Sequence, residues 1–279
     1  MWKKMVSISL ALFMVLSFTA CGKEPSAQEI IEGVIESYDN IKTYQFELDM
    51  NMHATGEAEG EALEHTVIMD NSGTLDLENL QMKVDLSAGS GDEMMRLESY
   101  IIDGVMYVKP EAPGEQSMWM KQEAPLEVWE RMSASSGIEN YRKLLRTAQV
   151  EVIGSEKVDG IDCYVLQLNP EMAELYQTAM DPVGGIGQAG MLSPVPEELL
   201  QDMFSSYSVK QWIAKDIYFL TKVEIDMTIE STPELMDYLG EEGETFLDIS
   251  INFLANNYNQ PVIIELPPEA EEAIGIPTE

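Results

Sequence analysis

Cysteine is nearly absent from this chain. Cys21 and Cys163 are the only two in 279 residues, so no disulfide framework can staple the fold, and stability has to come from a packed core. Histidine is as scarce: His53 and His65 are the whole supply. Basic residues are few, 16 against 50 acidic ones, for a net charge of −34. Such a surface is soluble and repels nucleic acid and anionic headgroups alike. Recognisable catalytic motifs are missing. There is no Gly-x-Ser-x-Gly and no Ser/His/Asp arrangement, and Gly184-Gly185-Ile186-Gly187 has no following lysine to make a phosphate loop. No carboxylate pair stands out from the acidic background; Glu61, Glu64 and Asp70 read as solvated positions. These absences argue against an enzyme, and no catalytic residue, metal or cofactor is expected.

Long apolar runs are also lacking, with one exception. After Trp2, Lys3 and Lys4, residues 5–20 carry no charge. That length is short for a membrane span and suits the apolar region of a secretory signal. Ser17-Phe18-Thr19-Ala20-Cys21-Gly22 follows, with small residues beside a cysteine, as a lipoprotein signal peptidase requires. Phe18 departs from the commoner leucine. The expectation is a signal peptide over 1–20, a diacylglycerol on Cys21 and a tether over 21–25. The mature protein would then be held at the extracytoplasmic face of the cell membrane. Loss of residues 1–20 removes Lys3 and Lys4 and no acid, which makes the charge more negative still. Gly22 to Pro25 reach roughly 15 Å when extended, so the body stays close to the bilayer. With its lipid on Cys21, Cys163 is alone; in Ile161-Asp162-Cys163-Tyr164-Val165-Leu166 it reads as a small buried apolar residue.

What the chain has in quantity is alternation. Tyr44, Phe46, Leu48, Met50 and Met52 alternate with Gln45, Glu47, Asp49, Asn51 and His53. Period two with one apolar and one charged side is the mark of a half-buried strand. The pattern returns in Ile217, Phe219, Val223, Ile225, Met227 and Ile229, and in Leu247, Ile249, Ile251 and Phe253. Weaker versions cover 64–70, 73–78, 80–87, 94–102, 105–109, 149–154 and 161–168. Asn71-Ser72-Gly73, Asp103-Gly104 and Asp159-Gly160 read as turns between them, Asp103-Gly104 as a two-residue hairpin. About ten antiparallel strands result. Ser26-Ala27-Gln28-Glu29 is a capping box opening a helix with Ile30, Ile31, Val34, Ile35 and Tyr38 on one stripe. Further helices are expected after Pro125, over 138–148, over 171–180 and over 197–204, with a Gly/Pro-rich loop at 181–195. Residues 26–279 read as one α+β domain.

A sheet with one apolar face must cover it. Thin helices over a wide sheet leave room for a cavity lined by Leu, Ile, Phe and Met, suited to an acyl chain or another apolar ligand. Some of the 19 methionines fall on strand faces, where a flexible thioether can repack around varied ligands. Met118-Trp119-Met120 with Met50 and Met52 would otherwise suggest a Cu(I) site, and His65 opposite His53 a surface metal site; core packing and solvated histidines are the preferred readings.

Four stretches carry a family resemblance. They are Tyr38-Asp39-Asn40-Ile41-Lys42-Thr43-Tyr44 after the first helix, then Val158 to Leu166 and Gln211-Trp212-Ile213-Ala214-Lys215-Asp216 with Leu220-Thr221-Lys222-Val223-Glu224, each like a hairpin of the family, and Gln260 to Pro267. In these the chain resembles the Lol-type and LppX-type lipoprotein carriers. The resemblance implies a curved antiparallel sheet, a half-barrel of about 10–11 strands, with helices covering its concave apolar face, and a carrier or receptor of hydrophobic ligands. The cavity would be lined by Phe46, Leu48, Met50, Met52, Trp212, Ile225, Met227, Ile249 and Ile251. The expected partners are the membrane, through the anchor, and a hydrophobic ligand or lipidated molecule, with the protein a monomer. The short tether suits a holder or acceptor better than a shuttle. The competing expectation is a solid-cored structural or interaction module that docks a partner by its acidic surface or by 181–195.

Overall fold

A computed structural model describes residues 24–58, 61–124, 129, 142–170, 204–231 and 243–276. The signal peptide, Cys21, the expected helices after Pro125 (save Trp129) and at 171–180, and the 181–195 loop lie outside these residues, as does all but Phe204 of the helix expected at 197–204.

The chain enters through α1 (Ala27–Ser37). Its amino terminus is fixed as the capping box predicts: Glu29 N–H donates to Ser26 Oγ at 3.3 Å, and Ser26 N–H donates to Glu29 Oε2 at 2.7 Å. Ile30, Ile31 and Val34 come out buried on its inner side. A 3-10 turn (Tyr38–Asn40) then leads into the sheet.

Among the described residues twelve strands follow in chain order: β1 (Thr43–Ala58), β2 (Glu61–Asp76), β3 (Gln81–Ser90), β4 (Glu93–Ile102), β5 (Val105–Glu111), β6 (Met120–Glu123), β7 (Gln149–Val158), β8 (Ile161–Asn169), β9 (Phe204–Ala214), β10 (Leu220–Glu230), β11 (Gly243–Asn256) and β12 (Ile274–Gly275). They form one open, curved sheet in the order β12-β6-β5-β4-β3-β2-β1-β11-β10-β9-β8-β7. Every pairing is antiparallel except the short β12–β6 contact. The half-barrel and its strand count therefore agree closely with expectation. The Asp103-Gly104 and Asp159-Gly160 hairpins do too, each with two positive φ angles, as a tight right-twisted turn requires.

Several sequence readings are corrected. Asn71-Ser72-Gly73 is no turn: β2 runs straight through it. Gly73 is needed there because the Phe46 ring lies across it, within 2.5 Å of where a Cβ would stand. Ile217 and Phe219 precede β10 instead of opening it, since residues 215–217 turn and Ala214 N–H closes on Phe219 O at 2.9 Å. Phe204 starts a strand; of β9 only residues 211–214 were expected, as one arm of a hairpin with β10. β6 and β12 were not foreseen.

Three of the four buried clusters among the described residues pack other elements onto the sheet. One packs Ile30, Ile31 and Val34 of α1 with Leu145 onto Leu166, Leu168, Val209 and Ile213. Residues 142–147 are helical, as expected for that stretch. A second sets Trp129 and Ala124 on Leu75, Met82 and Ile101 of the same face. Each such side chain contributes about 1.5–3 kcal/mol by leaving water. The third lies on the outer face. After β11 the chain turns at Asn259, whose side chain bonds Lys42 N–H at 2.7 Å and Asn40 O at 3.0 Å. Residues 261–276 then cross the outer face, where Ala270 and Ala273 pack on Tyr100 and Trp119.

Candidate functional site

The register places the candidate residues. Phe46, Leu48, Met50 and Met52 of β1 stand opposite Ala255, Phe253, Ile251 and Ile249 of β11. Ile251 and Ile249 in turn stand opposite Ile225 and Met227 of β10. Directly opposed residues share a face. Eight of the nine candidate residues are thus brought together on the face that α1 packs against. The ninth, Trp212, is on the other face. Val209, Gln211 and Ile213 fix the parity of β9, and Trp212 falls between them, opposite Val165 and Lys222. There it is 4% exposed in a satellite core with Cys163 and Val165. Its indole N–H donates to Glu156 Oε2 at 2.8 Å, and Lys222 Nζ sits 4.6 Å from its ring centroid. Trp212 is a structural residue of the outer face.

The apolar face is ordered in rows across the strands. One row reads Leu168, Val209, Ile225, Ile251, Met50, Met69, Ala88 and Met95 from β8 to β4. The next reads Tyr207, Met227, Ile249, Met52 and Val67. Exposure rises along the first row, from none at Leu168 to 59% at Met95, with Met50, Ile225 and Ile251 partly buried between. Helix length contributes to this gradient. The 11 residues of α1 span about 16 Å, whereas the eight strands of the row, about 4.8 Å apart, span about 34 Å. One short helix cannot cover the whole face. Met69, Met95, Ile229, Val67 and Phe253 belong to the patch and were not among the predicted site residues; their period-two spacing was the available signal.

An aromatic group closes one end of the patch. Phe46 stacks on Phe253 with centroids 6.2 Å apart, Tyr44 on Tyr258 at 5.8 Å, and Phe219 lies 4.7 Å from Tyr258. Tyr258 donates to Leu220 O at 2.5 Å. Burial pushes the Tyr44 hydroxyl up to about 12 and that of Tyr258 well above its ordinary value.

The outer face has the opposite character. Glu47, Asp49, Asp70, Asp85, Glu98 and Glu111 border a shallow groove of about 470 Å³ there, with Arg96 among them. Lys83–Asp85 at 3.0 Å and Lys109–Glu111 at 2.7 Å are solvent-facing pairs of small energetic value. His53 and His65 do not meet. His53 faces outward and pairs its Nδ1 with Thr66 Oγ1 at 2.9 Å, while His65 is opposite Ala54 on the other face. No three His, Cys, Asp or Glu among the described residues are placed to hold a metal ion. Cys163 is fully buried, and burial raises its thiol pKa, which disfavours a thiolate. No helix among the described residues is long and apolar enough to cross a membrane.

A family described as "Family of unknown function (DUF6612)" matches residues 26–273. The chain belongs to this family. No curated protein matches the sequence. Among solved structures, the chain is similar to LprF from Mycobacterium bovis, at 12% identity and a TM-score of 0.43, over 86% of this chain and 96% of that one. It is similar to the Mycobacterium tuberculosis lipoprotein LppX at 13% identity and 0.44, over 87% and 100%. A putative outer membrane lipoprotein-sorting protein domain from Vibrio parahaemolyticus matches at 13% and 0.23, over 85% and 95%. These are the groups that the four motifs resemble. At such identities and scores the likeness says nothing of a ligand, which has to be argued from this chain's own residues.

The tyrosine hydroxyls give a pH test of the aromatic end. A folded value raised to about 12 from 10.0 means that the folded state favours the neutral hydroxyl. That contribution is complete below pH 10 and is lost as pH rises through about 12. The urea midpoint of unfolding is expected to fall across this window, and to fall less in Tyr44→Phe. Equal falls in the two proteins would show that Tyr44 is not buried as described.

Proposed function

We propose that this protein is a membrane-anchored lipoprotein that holds or accepts a lipid, or another hydrophobic ligand, against the apolar face of its sheet, without catalysis. The observation that carries this reading is the continuity of the patch. Phe46, Leu48, Met50, Met52, Ile225, Met227, Ile249 and Ile251 lie side by side on three adjacent strands, partly buried, at the centre of a face whose far edge is exposed. An apolar surface of this kind is stabilised by anything that removes it from water. Methionine suits a contact that must adapt to chains of different shape. The lipid on Cys21 and the short tether would keep the patch near a bilayer, the natural source of such a ligand, while the acidic outer face stands off anionic headgroups.

Copurification tests the ligand. Protein expressed without residues 1–21 and extracted into organic solvent is expected to release a lipid detectable by mass spectrometry. Met50→Glu and Ile225→Glu each place a carboxylate in the row and should reduce the yield about tenfold or more, since an unpaired charge is costly in an apolar setting. An empty extract from the parent protein, with a close-packed interior, would instead favour a solid-cored envelope module. The anchor is tested separately. Cys21→Ser in the full chain should abolish incorporation of labelled palmitate and leave residues 1–20 uncleaved; incorporation equal to that of the parent would refute acylation at this site.

A further inference from the structure

The apolar face carries one polar side chain whose position asks for a ligand group. Asn71 of β2 stands opposite Leu48 of β1 and Leu86 of β3, and Leu86 stands opposite Leu97 of β4. Asn71, Leu86 and Leu97 also border the outer groove, but strand parity turns their side chains to the same face as Phe46 and Met50, in the row beside the one that holds Met50 and Met69. Its Oδ1 is buried and has no hydrogen-bond partner among the described residues. Ser99, in the row on the other side, differs: its hydroxyl donates to Val84 O at 3.4 Å. Buried acceptors are ordinarily satisfied, and one left bare costs stability that a donor can restore. Leucines on both neighbouring strands supply no donor.

Resting on the lipid-holding function proposed above, we infer that the preferred ligand is an apolar chain bearing a hydroxyl group, which donates to Asn71 Oδ1 when the chain lies along the face. The selectivity has a physical basis. A bare apolar patch discriminates weakly between chains, whereas a buried acceptor left unpaired penalises a chain that lacks the donor. A single neutral hydrogen bond regained in this way corresponds to about a tenfold preference. A neutral ligand also avoids the repulsion that a fatty-acid anion would meet from a chain of net charge −34.

Displacement of Nile red from the delipidated protein, lacking residues 1–21, provides the test. The competitors are methyl octadecanoate and its 3-hydroxy and 12-hydroxy derivatives, which are uncharged and matched in length. The parent protein should bind at least one hydroxylated ester about tenfold more tightly than the plain one. Asn71→Leu should bind all three alike and unfold at a higher urea concentration, because a bare acceptor has been replaced by an apolar group. Asn71→Met serves as a second replacement should the leucine misfit. Equal binding of the three esters by the parent, or a preference that survives both substitutions, would overturn the role of Asn71 while leaving a lipid-binding face intact. Failure of every ester to displace the dye would overturn the lipid-holding function and the inference with it.

Discussion

β1 pairs with β2 on one side and β11 on the other along nearly its whole length, and the rest of the structure depends on that double pairing. Register in a sheet is unforgiving: a slip of one residue would move every side chain to the opposite face. With Met50 opposite both Ile251 and Met69, a slip would present Glu47, Asp49 and Asp248 to the helices and leave the methionines in water. Alternation on three long strands therefore decides which face α1 can pack against, which face is acidic, and where an apolar ligand could lie.

The two faces are completed in different ways. On the apolar face α1 and Leu145 pack against β8 and β9, and Trp129 packs against β2, β3 and β4. Between them runs the partly buried strip of β1, β11 and β10. The outer face is crossed by the carboxy-terminal segment, anchored at Asn259 and seated by Ala270 and Ala273 on Tyr100 and Trp119. That crossing places Ile274 beside Met120 and makes the sheet's one parallel contact. Cys163, Val165 and Trp212 form a small core of their own on the same side, at the far end.

Much of this was legible because it is local. The capping box of α1, the Asp-Gly hairpins and the period-two runs of β1 and β11 each declare themselves within a few residues. What was not legible depends on distant partners. Asn71, Ser72 and Gly73 have turn chemistry, yet Val67, Met69 and Leu75 keep their alternation across them, and the Phe46 ring fills the space beside Gly73. β9 was legible only through its hairpin motif and not by alternation, because Gln211 occupies a core-facing position and Trp212 an outer one, the reverse of what their polarity suggests. β6 and β12 exist only because the carboxy-terminal segment crosses the sheet, which no local pattern encodes. Trp212 was placed in the candidate site by its size and its motif, and register moved it out.

The central claim is that the methionines of the strip meet a ligand and not the rest of the protein. Peroxide oxidation followed by peptide mass spectrometry addresses it directly, because a thioether reacts only where the oxidant can reach it. In delipidated protein Met50, Met52 and Met227 should oxidise, and bound lipid should protect all three while Met118, 49% exposed, reacts unchanged. Equal protection of Met50, Met52 and Met227 with and without lipid would mean that the strip is already filled by the chain itself, and would contradict the account.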